Sequence, residues 1–377
     1  MKEENVLHNQ LKAIRTRLGL SQQELATSAG IARQTIGGIE AELYAPSAMI
    51  ALRLAKALGC RVEEIFWLED ESAQVSAIPV RGLPPDTPLR VTLAQVGGKW
   101  VAHPLQGESA FRSEMIPADG IGQWHSGEET FTVNLLDDPE VLARTVVIAG
   151  CTPVLSLWAK SAERWFPGLR VHWRHANSRE ALYSLARGEV HLAGVHLCDA
   201  VTGEYTAPFV REVLPDRTTV LINLGVGREG FVVAAGNPKG LESVEDLRKT
   251  GVRLINRESG AGSRSLLDSL LETEGIAGDS ILGYEEMVRG HQEVAFAVST
   301  GRADVGVSTE AIAETYGLDF VFLRQVRYDL VLLEETLLQE PVRQLLSTLQ
   351  HRRIRSQLSL LGGYDTSLTG ERADGLK

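Results

Sequence analysis

The chain has 377 residues, of which 44% are hydrophobic, 23% charged and 6% aromatic. At roughly 100 to 200 residues per domain this length predicts two or three domains, and the composition excludes a single small module and a globally disordered chain. The formal net charge of −11 excludes a protein that coats nucleic acid non-specifically.

The acidity is confined to the later part of the chain. Residues 1–68 hold eight Lys/Arg and seven Asp/Glu, a net charge of +1, so the remainder carries −12. Three widely spaced cysteines, Cys60, Cys151 and Cys198, are typical of a reducing compartment. The first 20 residues lack an apolar signal core, and no run of 18 apolar residues occurs, so we expect a cytoplasmic protein with no membrane partner.

Residues 1–68 form the first predicted domain, which is all-α. Apolar residues recur at helical spacing from residue 7, and the breaks at 19–21, 30–31, 44–47 and 59–60 predict five short helices. Ser21 followed by Glu24 is a capping-box pattern, and Ser47 is suited to start the fourth helix.

The second and third of these helices have the spacing of a helix-turn-helix. They read SQQELATSAG and IARQTIGGIEAELYAPS. The segment from Leu11 to Trp67 resembles the Cro/repressor-type (Xre) DNA-binding domain in helix count, in the small Ala26 and Gly30 around the turn, and in the closing LAKALGCRVEEIF. The resemblance implies an operator in double-stranded DNA as the partner, a homodimer, and an internal pair between Arg15 and Glu40.

Five polar residues are the candidates for contact with DNA. Arginine can pair with guanine, glutamine with adenine, and threonine with a thymine methyl group or a phosphate, while the start of the preceding helix favours a phosphate. The candidates are Gln22, Gln23, Arg33, Gln34 and Thr35. The alternative for residues 7–68 is a helical module that binds a protein or dimerises.

A linker and a small β-rich connector are predicted over residues 69–143. An acidic run and four prolines mark residues 69–90 as a linker. Short β-like runs then alternate with Gly- and Pro-containing turns, at 90–94, 99–102 and 130–133. The pattern assigns no role to the connector.

Residues 144–377 form the third predicted domain, which is α/β. Strands at 145–149, 169–173 and 190–197 alternate with helices, and the order recurs from residue 230 with helices at 263–274 and 291–299. This alternation predicts two similar lobes built on parallel strands.

Two loops at strand-to-helix junctions are the predicted ligand site. Residues 150–153 and 256–264 place small residues and backbone amides where anions bind, Ser259 and Ser263 can donate hydrogen bonds, and Arg257 and Arg264 supply positive charge. If the lobes face each other, both loops line one cleft.

Residues 145–335 resemble a type II periplasmic-binding-protein-like domain, in the version found in one-component regulators and fused to molybdopterin-biosynthesis proteins. The similar segments include AGCTPVLSLWA, INRESGAGSRSLLDSLL, GRADVGV and GLDFVFLRQVRYDLV. The resemblance implies a small anionic ligand, with molybdate, tungstate or a molybdenum-cofactor species as the candidates. The ligand residues that it implies are Thr152, Asn177, Ser178, Glu204, Tyr205, Ser263, Arg264, His291 and Tyr328.

Other patterns do not predict a site. Residues 225–230 match G-x-G-x-x-G, but a strand follows where a dinucleotide site needs a helix, so we interpret them as a crossover between lobes. The candidate metal ligands His172, His175, His191, His196 and Cys198 lack zinc-ligand spacing, and His172 and His191 fall within predicted strands, where a lone imidazole is usually a packing or surface residue, so we predict no metal site. No G-x-S-x-G motif occurs, so no nucleophile elbow is recognised. As a regulator, the chain is expected to have neither catalytic residues nor a bound cofactor, and it is not predicted to be an enzyme.

Together these features predict a multidomain DNA-binding regulator that senses a small anion. The alternative is a ligand carrier or sensor of the molybdenum-cofactor pathway whose helical module binds a protein. A periplasmic transport receptor is not expected, because a signal peptide is not recognised.

Overall fold

The computed structural model divides the chain into two compact units, Met1–Ala73 and Gln74–Lys377. It describes residues 7–68, 73–80, 88–107, 116–123, 130–199 and 201–373. Within these ranges, no helix has the length and apolar character that crossing a membrane requires. The predicted linker lies partly outside them.

The first unit is a small helical domain closed by a two-stranded ladder. Its helices and strands are β1 (Leu7–Asn9), α1 (Leu11–Arg17), α2 (Gln22–Ala29), α3 (Arg33–Glu40), α4 (Ala48–Leu58) and β2 (Phe66–Leu68). The fifth predicted helix is present as one 3-10 turn, Val62–Glu64, since aromatic residues after it favour the strand that pairs with β1. Leu25, Ile36 and Leu54 are fully buried in the core.

Local capping fixes where these helices begin and end. The hydroxyl of Ser21 accepts a hydrogen bond from the backbone N–H of Glu24 at 3.2 Å, and the Glu24 carboxylate accepts one from the N–H of Ser21 at 2.7 Å. Gly30 and Gly59 end α2 and α4 in the left-handed conformation, with φ of 64° and 67°. The predicted capping box is therefore confirmed.

Five strands of the second unit close into a small barrel. They are β3 (Gln74–Pro79), β4 (Leu89–Val96), β5 (Lys99–Pro104), β6 (Gly120–Gln123) and β7 (Phe131–Leu135). Their order around the barrel is β3-β5-β4-β6-β7, and β3 closes the barrel by pairing with both β5 and β7. The predicted β-rich connector is thus a closed barrel.

One eight-stranded sheet runs through the rest of the second unit. Its strands are β8 (Thr145–Gly150), β9 (Arg170–His175), β10 (Leu192–Val195), β11 (Thr219–Val233), β12 (Leu254–Arg257), β13 (Met287–Val288), β14 (Val305–Thr309) and β15 (Asp319–Leu333). The spatial order is β13-β12-β14-β11-β15-β10-β8-β9. We call residues 145–224 and 326–373 lobe one, and residues 225–325 lobe two.

The predicted parallel sheet is found within each lobe but not between them. Strands β8, β9 and β10 are parallel in lobe one, and β12, β13 and β14 are parallel in lobe two. Strands β11 and β15 are each 15 residues long and antiparallel, because the chain crosses from lobe to lobe in opposite directions. Residues 225–230 lie inside β11, which confirms a crossover rather than a dinucleotide site.

Helices cover both faces of this sheet. The short helix α5 (Pro139–Leu142) packs against β4 of the barrel. The helices that accompany the sheet are α6 (Val154–Trp165), α7 (Ser178–Ala186), α8 (Ala207–Val213), α9 (Gly262–Thr273), α10 (His291–Ser299), α11 (Glu310–Thr315), α12 (Glu340–Ser347) and α13 (Arg352–Ser359). Five of these helices, α6, α7, α9, α10 and α11, begin within five residues of the end of a strand. Their N-termini therefore point toward the edge where the two lobes meet.

Candidate functional site

Lobe two contacts lobe one along one of the two predicted loops, residues 256–264, which meets the start of α7. The side-chain amide of Asn177, at the start of α7, donates to the carbonyl oxygen of Ser259 in lobe two at 3.2 Å. The backbone N–H of Arg179 donates to the carbonyl oxygen of Gly260 at 3.4 Å. At Gly262 the backbone passes so close to the ring of His196 that no side chain fits there. The cleft is therefore closed.

A buried cysteine lies at the centre of this closed cleft. Cys151 directly follows β8, and its Sγ lies 3.7 Å from Nδ1 of His196, 3.8 Å from Nε2 of His291 and 3.9 Å from the hydroxyl of Tyr328. All four side chains are buried. Cys151, His196 and Tyr328 belong to lobe one, whereas His291 is the first residue of α10 in lobe two. Closure of the lobes thus completes the cluster.

Cys151 and His196 each shift the pKa of the other. Burial disfavours a thiolate, but the charge and hydrogen bond of His196 outweigh burial and lower the pKa of Cys151 below 9.0. Burial also disfavours a charged His196, but the charges of Cys151 and Glu229 raise its pKa to about 10. Oε1 of Glu229 lies 3.4 Å from Nε2 of His196 and accepts a hydrogen bond from Ser263 at 2.9 Å.

His291 and Arg257 complete the electrostatics from lobe two. Burial first, and then the charges of Arg257 and His196, lower the pKa of His291 well below 6.5, so this imidazole is neutral. Arg257 is 1% exposed, and its guanidinium binds the carboxylate of Glu258 at 2.9 and 3.1 Å. Its remaining Nη1 has no hydrogen-bond partner among the described residues, so a buried donor remains available to a ligand.

Six of the nine predicted ligand residues lie at this junction. Ser178 Oγ is 3.1 Å from Nδ1 of His196, Thr152 Oγ1 is 3.3 Å from the hydroxyl of Tyr364, and Tyr328 stacks on His196 with ring centroids 5.2 Å apart. The six are Thr152, Asn177, Ser178, Ser263, His291 and Tyr328. Their role as ligand residues stays a prediction.

The other three predicted ligand residues make their contacts elsewhere. The guanidinium of Arg264 binds Asp268 on its own helix at 2.9 Å and lies 4.2 Å from the centre of the Tyr284 ring. Glu204 is exposed and pairs with Arg211 at 3.1 Å, and the hydroxyl of Tyr205 donates to the carbonyl oxygen of Gln325. The positive charge in the cleft therefore comes from Arg257 rather than Arg264.

Four residues of the cluster were not predicted as site residues. Cys151, His196, Glu229 and Arg257 are brought together from four separate strands or strand ends. Arg257 was identified only as a source of charge in the second loop, and Cys151 stands in the first loop beside the predicted Thr152. Each contact depends on lobe closure or sheet pairing, which no local spacing in the sequence encodes.

The first unit exposes the start of α3, the helix that carries three of the predicted DNA-contacting residues. Arg33 and Gln34 are exposed in the first turn of α3, and Thr35 beside them is half-buried. Gln23 is exposed, whereas the amide of Gln22 donates to the carboxylate of Glu40 at 2.8 Å. Glu40 also accepts two hydrogen bonds from Arg15, at 2.6 and 3.0 Å, so the predicted structural pair is confirmed.

Comparison with known families assigns both parts of the chain. A helix-turn-helix domain matches residues 11–65, and a PBP superfamily domain matches residues 159–350, half of the chain. The HTH-type transcriptional regulator YgzD of Bacillus subtilis is 41% identical over 66 residues, which are 18% of this chain and 100% of YgzD. The helical unit alone accounts for that whole relative.

A second relative matches over a longer stretch of the chain. The Bacillus subtilis protein YvgK is 35% identical over 198 residues, which are 52% of this chain and 64% of YvgK. This chain thus spans less than two thirds of YvgK. Among solved structures, the tungstate ABC transporter from Geobacter sulfurreducens has 13% identity and a TM-score of 0.44, covering 57% of this chain and 97% of that chain.

Proposed function

Because the chain belongs to the PBP superfamily and carries a helix-turn-helix domain, we propose that it is a one-component, DNA-binding transcriptional regulator. The observation that carries this proposal is the presence of both domains in one polypeptide. A ligand that favours the closed lobes would shift the balance between two arrangements of the dimer, and so change how two α3 helices meet the operator.

Helix α3 is the proposed recognition helix. Arg33 and Gln34 are exposed at the N-terminal turn of α3, the part of a recognition helix that faces base edges. Thr35 and Gln23 are proposed to contact the sugar-phosphate backbone of the DNA. Gln22 is proposed to contact phosphate while its side chain orients Glu40, because its amide donates to that carboxylate.

A small anion is the proposed ligand. Arg257 offers a buried Nη1 without a partner among the described residues, and the hydroxyl groups of Thr152, Ser178 and Ser263 lie in the same junction. A buried cation with a free donor favours an anionic oxygen. Molybdate, tungstate and a molybdenum-cofactor species remain the candidates that we propose.

DNA binding is tested with the intact protein on duplexes from the region upstream of its own coding sequence. Loss of one bidentate base contact costs about 1–3 kcal/mol, so Arg33→Ala and Gln34→Ala should each weaken specific binding by roughly 5- to 160-fold. Arg61→Ala, which removes another exposed arginine of the same unit, is the control. Equal affinity for specific and random duplexes would contradict the regulator proposal. It would favour the alternative, a ligand carrier or sensor whose helical unit binds a protein.

Ligand binding is tested separately by thermal unfolding. A ligand that binds the folded chain raises the unfolding temperature, and 100-fold excess over Kd contributes about 2.7 kcal/mol. We expect a rise with the correct oxyanion in the wild type and little rise in Arg257→Ala/Ser263→Ala. If molybdate, tungstate and pterin species all leave the temperature unchanged, the molybdenum assignment is wrong and the regulator proposal remains.

A further inference from the structure

The cluster at the centre of the cleft has the donor set of a transition-metal site. Cys151, His196 and His291 each offer one ligand atom, and these three atoms all lie within 4.8 Å of one another. A thiolate and two imidazoles are ligands that zinc and related borderline cations prefer, and hard cations such as Mg²⁺ do not.

The distances fit such a cation. In a tetrahedral zinc site, bonds of about 2.3 Å to sulfur and 2.0–2.1 Å to nitrogen place the sulfur about 3.6 Å from each nitrogen. Sγ of Cys151 lies 3.7 Å from Nδ1 of His196 and 3.8 Å from Nε2 of His291. An ion could therefore be bound with only small movements of these side chains.

The outer nitrogen of each imidazole faces an oxygen. Nε2 of His196 lies 3.4 Å from the carboxylate of Glu229, and Nδ1 of His291 lies 3.3 Å from the hydroxyl of Ser308. Metal-bound histidines are characteristically oriented in this way, by a carboxylate, carbonyl or hydroxyl on the far side of the ring. The ring of His291 is thus held by a hydrogen bond on its far side, whereas Nε2 of His196 faces the carboxylate without a hydrogen bond in the part of the chain that the structure describes.

We propose that Cys151, His196 and His291 bind a zinc-like divalent cation that bridges the two lobes. Two ligands come from lobe one and the third from lobe two, so the bound ion stabilises the closed cleft. The ion replaces the proton shared by Cys151 and His196 and the hydrogen bond between Ser178 and His196. This proposal replaces the expectation of no metal, which rested on local spacing and on the placement of histidines in predicted strands, whereas Cys151 and His291 are 140 residues apart.

The site also connects to the proposed function. Three protein ligands leave a fourth position on a tetrahedral ion, and Arg257 is close enough to Cys151 for its charge to affect the thiol. An anion at that position would meet both the ion and a guanidinium. This connection rests on the proposed anion, but the metal site itself does not.

Cobalt(II) is the probe for the metal site, because its bond to a thiolate gives a charge-transfer absorption in the near ultraviolet. The full chain should bind one Co²⁺ with this absorption, and Zn²⁺ should displace it. Cys151→Ser should lose the absorption, whereas the control Cys198→Ser, a half-buried cysteine in the same unit, should keep it. Ser308→Ala, which leaves the ligands intact, should weaken binding by about 10- to 100-fold.

A second variant and a second measurement protect the test from a folding defect. His291→Gln should bind Co²⁺ at least about 10-fold more weakly than the wild type. If Cys151→Ser has an altered circular dichroism spectrum, the affinity of His291→Gln alone tests the metal site. Small-angle scattering should show that Zn²⁺ lowers the radius of gyration of the wild type but not of His291→Gln. Absence of the thiolate absorption in the wild type, or its persistence in a folded Cys151→Ser, would overturn the proposal whatever the protein does with DNA.

Discussion

Replacing Glu40 by glutamine should destabilise the helical unit far more than the same change two residues later. Glu40 lies at the end of α3, its side chain is 5% exposed, and it accepts hydrogen bonds from Nε and Nη2 of Arg15 and from the amide of Gln22. Glu40→Gln keeps the shape but removes the charge and turns one acceptor into a donor that faces other donors. Glu42→Gln is the matched control, since Glu42 is 46% exposed and lies 3.9 Å from His8.

The expected loss for Glu40→Gln is about 3 kcal/mol. Breaking a buried ion pair by neutralising one partner costs about 3–5 kcal/mol, because the other charge stays buried without compensation. Arg15 keeps its hydrogen bond to the carbonyl oxygen of Leu20 at 2.7 Å and is 12% exposed, which favours the lower end of that range. The control should lose less than about 1 kcal/mol, as exposed pairs do.

Urea unfolding of residues 1–73, followed by circular dichroism, measures this difference. A domain of this size loses about 1 kcal/mol of stability per molar urea, so Glu40→Gln should lower the midpoint by roughly 3 M. The double variant Arg15→Met/Glu40→Leu should recover most of the loss, because apolar side chains can replace a buried pair. The reasoning fails if Glu40→Gln and Glu42→Gln lower the midpoint equally.

Three further predictions concern the core, the cleft and pH. Ile36→Ala, at a fully buried position of α3, should lower the free energy of unfolding of the helical unit by about 2–5 kcal/mol, measured by urea unfolding. Leu52→Ala, at a position that is 63% exposed, is the control and should lower it by less than about 0.5 kcal/mol. Equal losses would contradict the assigned core. Gly262→Val should hold the lobes apart, because its side chain would collide with His196, and an unchanged radius of gyration in small-angle scattering would refute this. Burial lowers the pKa of His191 to about 4, so the unfolded chain binds more protons than the folded chain between about pH 6.5 and pH 4. The stability of the second unit should therefore fall as pH falls through that window. His191→Gln should reduce the slope of unfolding temperature against pH. A slope equal to that of the wild type would show that other groups are responsible.

Features encoded by neighbouring residues could be predicted from the sequence. The capping box of Ser21 and Glu24 and the start of α10 at His291 depend on contacts within a few residues, and the structure has them where the pattern placed them. The G-x-G-x-x-G segment was predicted to be a crossover between lobes because a strand rather than a helix follows it, and the structure places it inside β11.

The composition of the cleft could not be predicted in the same way. Arg257 and Arg264 stand on either side of the same Gly-rich turn, and local chemistry favours neither as the charge in the cleft. Their difference arises because Arg264 has Asp268 one helical turn away, whereas Arg257 ends a buried strand. Cys151 and His291 meet only because two lobes close on each other, so the cluster follows from tertiary structure alone.

The order of the strands has a consequence for synthesis on the ribosome. Lobe two is continuous in sequence, so its strands can pair before the last part of the chain has emerged. Lobe one is not, because β10 pairs with the second half of β15, which is made more than 120 residues later. Until β15 emerges, the nascent β10 has an unpaired edge, the kind of surface that recruits strands from other chains. Misfolding and chaperone binding should therefore concentrate on lobe one, although the closed cleft needs both lobes.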